Sequence, residues 1–302
     1  MPRRYRVLTY GTHVSGEDTA ALRGVLTGAG CTVLDAERHS AGSCQIVSFD
    51  VHFAGSASAL RSALAAFGGR AGADREGPAL GVAVVPWGIT SGAGPSLLVM
   101  DVDSTLIKQE VIELLAAHAG RQQEVAAVTD AAMRGELDFT QSLHARVEAL
   151  AGLPASVIDD VGAAIELSDG ADVLIQAFLD AGHQVAAVSG GFSQILDPLA
   201  GRLQLTHARA NLLEIRNGRL TGKVDGPVVD RAQKERALRE WSAGAGIPLE
   251  RTIAVGDGAN DLDMLRAAAL GVAFNAKPAV RADADAAIDL PRLDIVRHFA
   301  GI

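Results

Sequence analysis

Two aspartates stand one residue apart after a run of apolar residues, in the stretch LLVMDVDSTLI. A carboxylate at the first position, Asp101, could act as a nucleophile that accepts a phosphoryl group and splits a difficult transfer into two steps. The second carboxylate, Asp103, could protonate the leaving oxygen and later deprotonate a water molecule. Two other interpretations stay open: the pair could form a turn of the Asx type, or the DxD metal site of a nucleotide-sugar transferase.

A second loop with phosphate-binding character is Ser189-Gly190-Gly191, which follows QVAAV and precedes FSQILDPL. We expect Ser189 to cap a helix. A serine and glycines at a helix N-terminus offer a hydroxyl and free backbone N–H groups to a phosphate. An ordinary turn is the alternative interpretation of so short a segment.

The third loop is GDGANDLDML, after the apolar run TIAV. Asp257 and Asp261 flank Asn260 there, and the glycines let the backbone come close to a ligand. Hard oxygen ligands collected from two loops suit Mg²⁺, which also bridges to phosphate oxygens. Together with the first loop, this stretch predicts a magnesium site.

The apolar runs that precede the loops are short, and each ends in a polar or glycine-rich turn that leads into a helical pattern. This alternation predicts an α/β fold with a Rossmann-like parallel sheet and helices on both faces. Because open α/β sheets place their sites at the carboxyl ends of the strands, the three loops should converge there. Residues 108 to about 166 are almost wholly helical in pattern, and we interpret them as a cap inserted over that edge.

The N-terminal part has a different pattern, since strand and helix signals over residues 5–85 follow the order β-α-β-β-α-β. This order predicts a ferredoxin-like α+β domain. The segment contains no cluster of catalytic residue types, so we expect it to serve binding or assembly. The stretch WGITSGAGPS marks a boundary. We therefore divide the chain into a domain at 1–86, a linker at 87–95 and a second domain at 96–302.

The overall composition argues against several classes of partner. The 302 residues have a formal net charge of −9, which argues against a nucleic-acid-binding surface. The longest uncharged span, Ala79–Met100, is interrupted by glycines and prolines, so we expect no membrane-spanning helix and no membrane partner. The two cysteines, Cys31 and Cys44, do not make a disulfide framework. We expect free thiols in a reducing cytoplasm.

In this order, the motifs DVDSTL, SGG and GDGAND resemble those of the haloacid-dehalogenase superfamily of phosphotransferases. The segments QEVIELLA, AAMRGELDFTQSLHARVEAL and VSGGF resemble the phosphoserine phosphatases of that superfamily, and the match covers residues 96 to roughly 300. The resemblance implies that Asp101 is the nucleophile, which forms an aspartyl-phosphate. It also implies that Asp103 is the general acid and base.

The same resemblance implies the ligands of a metal ion and of the phosphoryl group. Mg²⁺ would be held by Asp101, the backbone carbonyl of Asp103, and Asp257, with Asp261 orienting that site or helping to bind the metal. The groups that would bind the phosphoryl group or the substrate are Ser189, Gly190, Lys234 in RAQKERAL, and Asn260. From the residues alone, Lys234 would be interpreted as a solvent-exposed lysine on a charged helix.

Residues of the cap could recognise an amino acid. In FTQSLHARVEAL, Arg146 interrupts an otherwise apolar helical stripe, and a substrate carboxylate would match its planar guanidinium. The alternative is that its aliphatic stem extends to water. Glu110 could pair with a substrate ammonium, or it could be an exposed glutamate in the first turn of a helix. Phe139 and Met133 would form apolar walls over the substrate.

The resemblance thus implies a cytoplasmic, Mg²⁺-dependent enzyme that hydrolyses O-phospho-L-serine, the last step of serine biosynthesis. One alternative is a phosphatase of the same superfamily that acts on another small phosphomonoester. Another is an amino-acid-sensing protein with weak phosphatase activity. Glu110 and Arg146 favour the amino-acid substrate, because substrates such as phosphoglycolate or a sugar phosphate lack its paired charges.

The N-terminal segment resembles the ACT-like regulatory domains that precede some phosphoserine phosphatases. That resemblance implies a regulatory amino acid as ligand and a homodimer formed through the sheets or helices of this domain. The first turn, GTHVSGED, lacks the usual Asp-Arg-Pro-Gly, although Gly11, Gly16 and Asp18 keep it small and acidic. This departure weakens the expectation of a small ligand more than the expectation of a dimer.

Overall fold

The computed structural model of the chain describes residues 2–69, 80–90, 94–133 and 136–302. Two sheets organise these residues, one of four strands near the N-terminus and one of seven strands in the remainder. The predicted fold class, an α/β parallel sheet preceded by an α+β domain, is therefore confirmed.

The N-terminal sheet is antiparallel throughout, with the strand order β2-β3-β1-β4. This order is consistent with the predicted ferredoxin-like arrangement. Its elements are β1 (Arg3–Gly11), α1 (Gly16–Gly28), β2 (Thr32–Ala41), β3 (Cys44–Phe53), α2 (Ala57–Gly69) and β4 (Gly81–Pro86).

Both faces of this sheet are covered, because successive strand residues point to opposite sides. Val7 and Phe49 pack with α1 and α2, whereas Leu8 and Tyr10 join the core of the second domain. The Tyr10 hydroxyl donates a hydrogen bond of 2.7 Å to the Ala287 carbonyl, across the boundary between the domains. The two domains therefore share a continuous apolar core.

The predicted linker at 87–95 is partly helical. Helix α3 (Trp87–Thr90) follows β4 directly and buries Ile89. Residues 91–93 lie outside the described part of the chain. Beyond them, the guanidinium of Arg251 donates a hydrogen bond of 2.9 Å to the Pro95 carbonyl, which ties the end of this segment to the second domain.

The second sheet has the order β11-β10-β9-β5-β6-β7-β8 and is parallel except for the final β7–β8 pair. Its strands are β5 (Leu97–Met100), β6 (Gln184–Phe192), β7 (His207–Arg216), β8 (Arg219–Asp225), β9 (Thr252–Gly256), β10 (Leu270–Phe274) and β11 (Ala286–Ile288). The helices in the same part of the chain are α8 (Ala171–Asp180), α9 (Ser193–Leu203), α10 (Arg231–Gly244), α11 (Leu262–Ala267), α12 (Pro278–Asp283) and α13 (Ile295–Ala300).

Helices cover both faces of this sheet, as a parallel sheet requires. Leu98 and Val255 belong to the large core that includes α8 and α13. Val99 and Ala254 belong to a second core, which Leu238 of α10 completes on the opposite face. The central strands β5, β6 and β9 are thereby held rigidly, with their carboxyl ends side by side.

The range expected for the cap contains α4 (Val111–Ala119), α5 (Gln122–Met133), α6 (Phe139–Glu148) and α7 (Val157–Ala164). The two segments that connect these helices to the sheet lie next to each other. Ile107 in the outgoing segment forms an antiparallel bridge with Leu167 in the returning one. The N–H of Lys108 donates to the Glu166 carbonyl at 3.0 Å, which strengthens this hinge.

Two further expectations concern the chain as a whole. Cys31 and Cys44 are both free, as predicted, and both are buried. Within the described residues, none of the helices has the length and apolar character needed to span a bilayer.

Candidate active site

The loop after β5 is held in one shape by its backbone. The N–H of Asp101 donates to the Val255 carbonyl at 2.9 Å, which extends the pairing with β9 by one residue. A wide turn follows, in which the Ile107 N–H donates to the Val102 carbonyl five residues back. Ser104 adopts the left-handed conformation, with φ +57°, inside this turn. Such a conformation is uncommon for a residue with a side chain and is often found at functional sites.

Lys234 of α10 lies at the centre of the site and is fully buried. Its ammonium group donates hydrogen bonds of 2.6 Å to Asp101 and 2.7 Å to Asp261. Burial lowers the pKa of Lys234, but the two carboxylates outweigh it and hold the pKa above its ordinary value. The lysine therefore remains a cation, and it neutralises part of the negative charge around Asp101.

Three carboxylates gather beside this lysine, from Asp101, Asp257 and Asp261, with one oxygen from each within 4.8 Å of the others. The hydroxyl of Thr105 donates to Asp257 at 3.2 Å, and the N–H of Gly258 donates to Asp261 at 3.0 Å. These bonds orient the carboxylates toward one another. Hard oxygen donors in such a cluster are the ligands that divalent cations such as Mg²⁺ prefer.

The charge of the cluster also fits a divalent cation. Burial, followed by the charge of Asp261, raises the pKa of Asp101 well above its usual value. The same two causes raise the pKa of Asp257 to about 6. One buried ammonium does not balance three carboxylates, so a cation bound between them would remove an electrostatic penalty.

Asp103 points away from this cluster. Its Oδ1 accepts a hydrogen bond of 3.3 Å from the Val111 N–H, at the start of the cap. Its Oδ2 lies over Gly191, where an added Cβ would come within 2.8 Å of it. Burial and the nearby carboxylate of Glu110 raise the pKa of Asp103 to about 7. A carboxyl group with such a pKa can both donate and accept a proton near neutral pH.

The Ser189 loop differs from the prediction in one respect. Residues Ser189 to Gly191 continue strand β6, and helix α9 begins only at Ser193, with Phe192 at its N-cap. The expectation that Ser189 caps the helix was therefore wrong. Its hydroxyl oxygen, buried in the site, instead accepts a hydrogen bond of 2.7 Å from the Gly191 N–H.

The cap reaches the sheet through Phe139, the first residue of α6. Its ring lies over Gly190, where an added Cβ would come within 2.7 Å of the Phe139 Cζ. Asn260, half-buried, extends its amide oxygen over Gly258 in the third loop. Met133 is the last residue of α5, and its side chain lies outside the described part of the structure.

Glu110 and Arg146 are both half-buried. The Ser104 hydroxyl donates a hydrogen bond of 2.7 Å to Glu110, just before α4. Burial lowers the pKa of Arg146, while the charges of Glu110 and Asp103 oppose that change. Its Nε donates to the Ser142 carbonyl at 3.2 Å, and among the described residues its guanidinium forms no ion pair. The arginine is thus a cation close to the site with donors to spare.

A model of the haloacid dehalogenase-like hydrolase family matches residues 98–266, more than half of the chain. The chain belongs to this family. The chain is 51% identical over 299 residues to a phosphoserine phosphatase of Streptomyces coelicolor, a match that covers 99% of this chain and 71% of that protein.

Solved structures agree with this assignment to the haloacid dehalogenase-like hydrolases. A probable phosphoserine phosphatase from Vibrio cholerae, in unliganded form, superposes with a TM-score of 0.75 at 31% identity, covering 98% of this chain and 86% of that one. A phosphoserine phosphatase solved as a phospho-aspartyl intermediate analogue gives a TM-score of 0.65 at 38% identity, covering 68% and 98%.

Some residues that shape the site of this haloacid dehalogenase-like hydrolase had no predicted role. Thr105 orients Asp257, although the sequence offered only its place in the first loop. Asn211 of β7 is buried and bonds to the Gly190 carbonyl at 2.8 Å. The one signal for Asn211 was a polar residue at an inward position of a strand, which is too common to predict a role.

Proposed function

We propose that the chain hydrolyses O-phospho-L-serine to L-serine and phosphate through an aspartyl-phosphate on Asp101. The substrate is inferred from the placement of Glu110, which accepts a hydrogen bond from Ser104 in the Asp101–Thr105 loop, and of Arg146, whose pKa the charges of Glu110 and Asp103 affect. The planar guanidinium suits a carboxylate, and the carboxylate of Glu110 suits an ammonium. The relatives named above, described as phosphoserine phosphatases, support this choice.

In the first half-reaction, a carboxylate oxygen of Asp101 attacks phosphorus. The bond between phosphorus and the serine oxygen breaks, and its electron pair stays on that oxygen, which takes a proton from Asp103. Lys234 partly neutralises the carboxylate that must approach a negatively charged phosphoryl group. The Ser189 hydroxyl and the backbone at Gly190 would bind the phosphoryl oxygens, and Asn260 would contact the substrate or the bound phosphate.

In the second half-reaction, a water molecule attacks the phosphorus of the aspartyl-phosphate. Asp103 removes a proton from that water, the bond between phosphorus and the Asp101 oxygen breaks, and inorganic phosphate leaves. Phe139 closes over Gly190 from the cap, and it would limit access of bulk water during the first step. Met133 would be a second apolar wall beside the substrate.

We propose Mg²⁺ as the metal ion, held by Asp101 and Asp257 together with the backbone carbonyl of Asp103. Asp261, which lies in the same cluster and contacts Lys234, would orient this site or complete it. When bound, the ion supplies positive charge to the phosphoryl oxygens and to the Asp101 carboxylate. The fit rests on the three converging carboxylates and on their excess of negative charge.

We also propose the division of labour between the two parts of the chain. Residues 96–302 would form the phosphatase domain, with a cap at about 108–166, and residues 1–86 would form an ACT-like domain for assembly or regulation. A homodimer and a regulatory amino acid at the N-terminal domain are part of this proposal. So is a cytoplasmic location, with which the free thiols of Cys31 and Cys44 are consistent.

The test is phosphate release from a substrate series with Mg²⁺ present. O-phospho-L-serine is compared with phosphoethanolamine, which lacks the carboxylate, with 3-phosphonooxypropionate, which lacks the ammonium, and with phosphoglycolate. We expect a preference of at least about 100-fold for phosphoserine, and no turnover in Asp101→Asn. The matched control is Asp169→Asn, which changes an exposed aspartate.

Each other outcome of this test points to a different function. If all four esters are turned over equally and Asp101→Asn abolishes this activity, the proposed mechanism stands but the proposed specificity for phosphoserine is wrong. Serine binding by a folded wild-type protein without turnover of any ester would favour the amino-acid-sensing alternative.

A further inference from the structure

The peptide group between Gly190 and Gly191 is fixed at both ends. Its N–H donates to the Ser189 hydroxyl oxygen at 2.7 Å, and its carbonyl accepts a hydrogen bond of 2.8 Å from the side-chain amide of Asn211. A peptide group is planar and trans, so its N–H and C=O point in opposite directions. The two hydrogen bonds, one on each side, therefore fix the orientation of this peptide group.

The pairing of β6 with β7 explains why a side chain is needed here. The register between these strands shifts between Val188 and Phe192, so the ladder skips the Ser189 loop. The Gly190 carbonyl thus lies at a break in the regular pairing, in a site where an unpaired polar group would be costly. Asn211 stands opposite Phe192 in the resumed ladder, and its amide reaches back to fill the gap.

The consequence for Ser189 concerns the direction of its proton. A hydroxyl group has one proton to donate and can accept through its lone pairs. Because its oxygen accepts from the Gly191 N–H, its own proton is free to point to another acceptor. A phosphoryl oxygen in the site would be that acceptor.

The other end of the Asn211 amide reaches the segment that leads into α10, the helix that contains Lys234. Its Oδ1 accepts a hydrogen bond of 2.8 Å from the Val229 N–H. The next residue, Asp230, caps α10 by accepting from the Gln233 N–H at 2.9 Å, and Lys234 lies in the first turn of that helix. Asn211 is only 2% exposed, so water does not compete readily for these bonds.

We propose that Asn211 is a positioning residue for phosphoryl transfer, which sets the Ser189 hydroxyl and the start of α10 in register with one another. It does not touch the substrate and acts through the Gly190–Gly191 peptide and through Val229. The inference rests on the proposed function only in that Ser189 and Lys234 bind the transferred phosphoryl group. It does not depend on which phosphomonoester is hydrolysed.

The chain offers a matched control in Gln194 of α9. Its side chain also bridges to β7 with both ends of an amide, since it donates to the Leu213 carbonyl at 2.7 Å and accepts from the Leu213 N–H at 3.2 Å. Neither bond involves Asn211 or a residue of the Ser189 loop. Gln194→Ala therefore removes a comparable pair of hydrogen bonds without affecting the proposed positioning.

The experiment compares Asn211→Ala, Asn211→Asp and Gln194→Ala by steady-state kinetics with p-nitrophenyl phosphate, and by the inhibition constant of inorganic phosphate. We expect kcat/KM to fall about 10- to 100-fold in both Asn211 variants, because even a small misplacement of the reacting groups slows the reaction by such a factor. We also expect phosphate to inhibit them more weakly. Gln194→Ala should keep the wild-type inhibition constant, although its Tm falls.

Asn211→Asp separates the two ends of the amide. A carboxylate can still accept from the Val229 N–H but has no proton for the Gly190 carbonyl, and its shape is conserved, which keeps the test usable if Asn211→Ala fails to fold. Inhibition constants in both Asn211 variants equal to that of Gln194→Ala would overturn the proposal. Because a general phosphate ester reports the result, a wrong assignment of phosphoserine would leave this test intact.

Discussion

The Phe139 ring of the cap and the backbone of Gly190 in the sheet domain are in direct contact, with space for a hydrogen but not for a methyl group between them. A Cβ added at Gly190 would lie 2.7 Å from the Phe139 Cζ. The cap is thus closed over the loop that we propose to bind phosphate. This contact makes the closure sensitive to a single added carbon atom.

Gly190→Ala should therefore displace Phe139 and with it the start of α6. We expect kcat/KM for phosphoserine to fall about tenfold or more, because the cap residues lose their alignment with the sheet domain. Adding Phe139→Leu should restore part of the activity. The loss in kcat/KM of the double variant should then be smaller than the combined losses of the two single variants. Strictly additive losses in kcat/KM would contradict a steric cause.

Lys234→Met should inactivate the enzyme and destabilise the fold. The change leaves Asp101 and Asp261 buried without their cation, and breaking a buried pair costs about 3–5 kcal/mol. Urea unfolding measures this loss in the free energy of unfolding, and single-turnover kinetics measure the loss of activity. The matched control is Lys108→Met, whose ion pair with Asp169 lies at the surface, and we expect no measurable change there.

Arg146→Leu should affect one substrate and spare another. If the guanidinium binds the substrate carboxylate, KM for phosphoserine should rise about 10- to 100-fold, while KM for phosphoethanolamine stays the same. Glu110→Gln should give the opposite pattern, with a larger effect on phosphoethanolamine than on 3-phosphonooxypropionate. Parallel increases for all three esters in Arg146→Leu would show a general effect on the cap.

Mg²⁺ should raise the Tm of the wild-type protein, since a ligand that binds the folded state alone stabilises it by about 2.7 kcal/mol at 100 times its Kd. Asp257→Asn should lose most of that shift. Asp263→Asn, which changes a nearby residue paired with Arg231 at the surface, should keep it. A full Mg²⁺ shift in Asp257→Asn would place the metal elsewhere.

His298 should make the stability of the fold depend on pH. Burial, followed by the charges of Arg297 and His39, lowers its pKa to about 4, although Asp294 opposes this change. In the unfolded chain the histidine titrates near its ordinary pKa, so between about pH 6.5 and 4 the unfolded state binds more protons. The contribution of His298 to the free energy of unfolding should therefore fall over that interval as pH is lowered, by on the order of 2 to 3 kcal/mol. The raised pKa values of Asp103 and Asp257 act in the opposite direction, because the folded state binds protons at these carboxylates first.

The measurement for His298 is denaturant unfolding at a series of pH values. The free energy of unfolding of the wild type, relative to that of His298→Gln, should fall between about pH 6.5 and 4, because the contributions of the carboxylates are common to both proteins and cancel. Identical slopes in the two proteins would exclude His298 as the source.

The chemistry-bearing loops were predictable because each follows a short apolar strand, and parallel strands bring such loops to one edge. The burial of Lys234 was not predictable from its neighbours, since the helix around it is highly charged and its two partners lie far away in the sequence. The resemblance to known phosphatases, and not the local pattern, indicated Lys234 as a residue of the site. The capping role expected for Ser189 failed because the strand continues through two glycines, which local propensity does not favour.

The role of Asn211 also could not be predicted from the sequence. Its role depends on a break in the pairing of β6 with β7, and such a break arises only when the strands are assembled. The shared core between the domains has the same origin. Tyr10 and Leu8 alternate with Val7 as in any strand, and the sequence does not say that a second domain covers their face.

The N-terminal sheet, covered on both faces, exposes its edge at β2. That strand is mostly exposed, and its register with β3 shifts between Val33 and Asp35. Charged side chains at Asp35, Glu37 and Arg38 follow the irregularity. Natural proteins use such bulges and charges to prevent edge-to-edge polymerisation. The bulge and the charges thus disfavour growth of the molecule into fibrils through this edge strand.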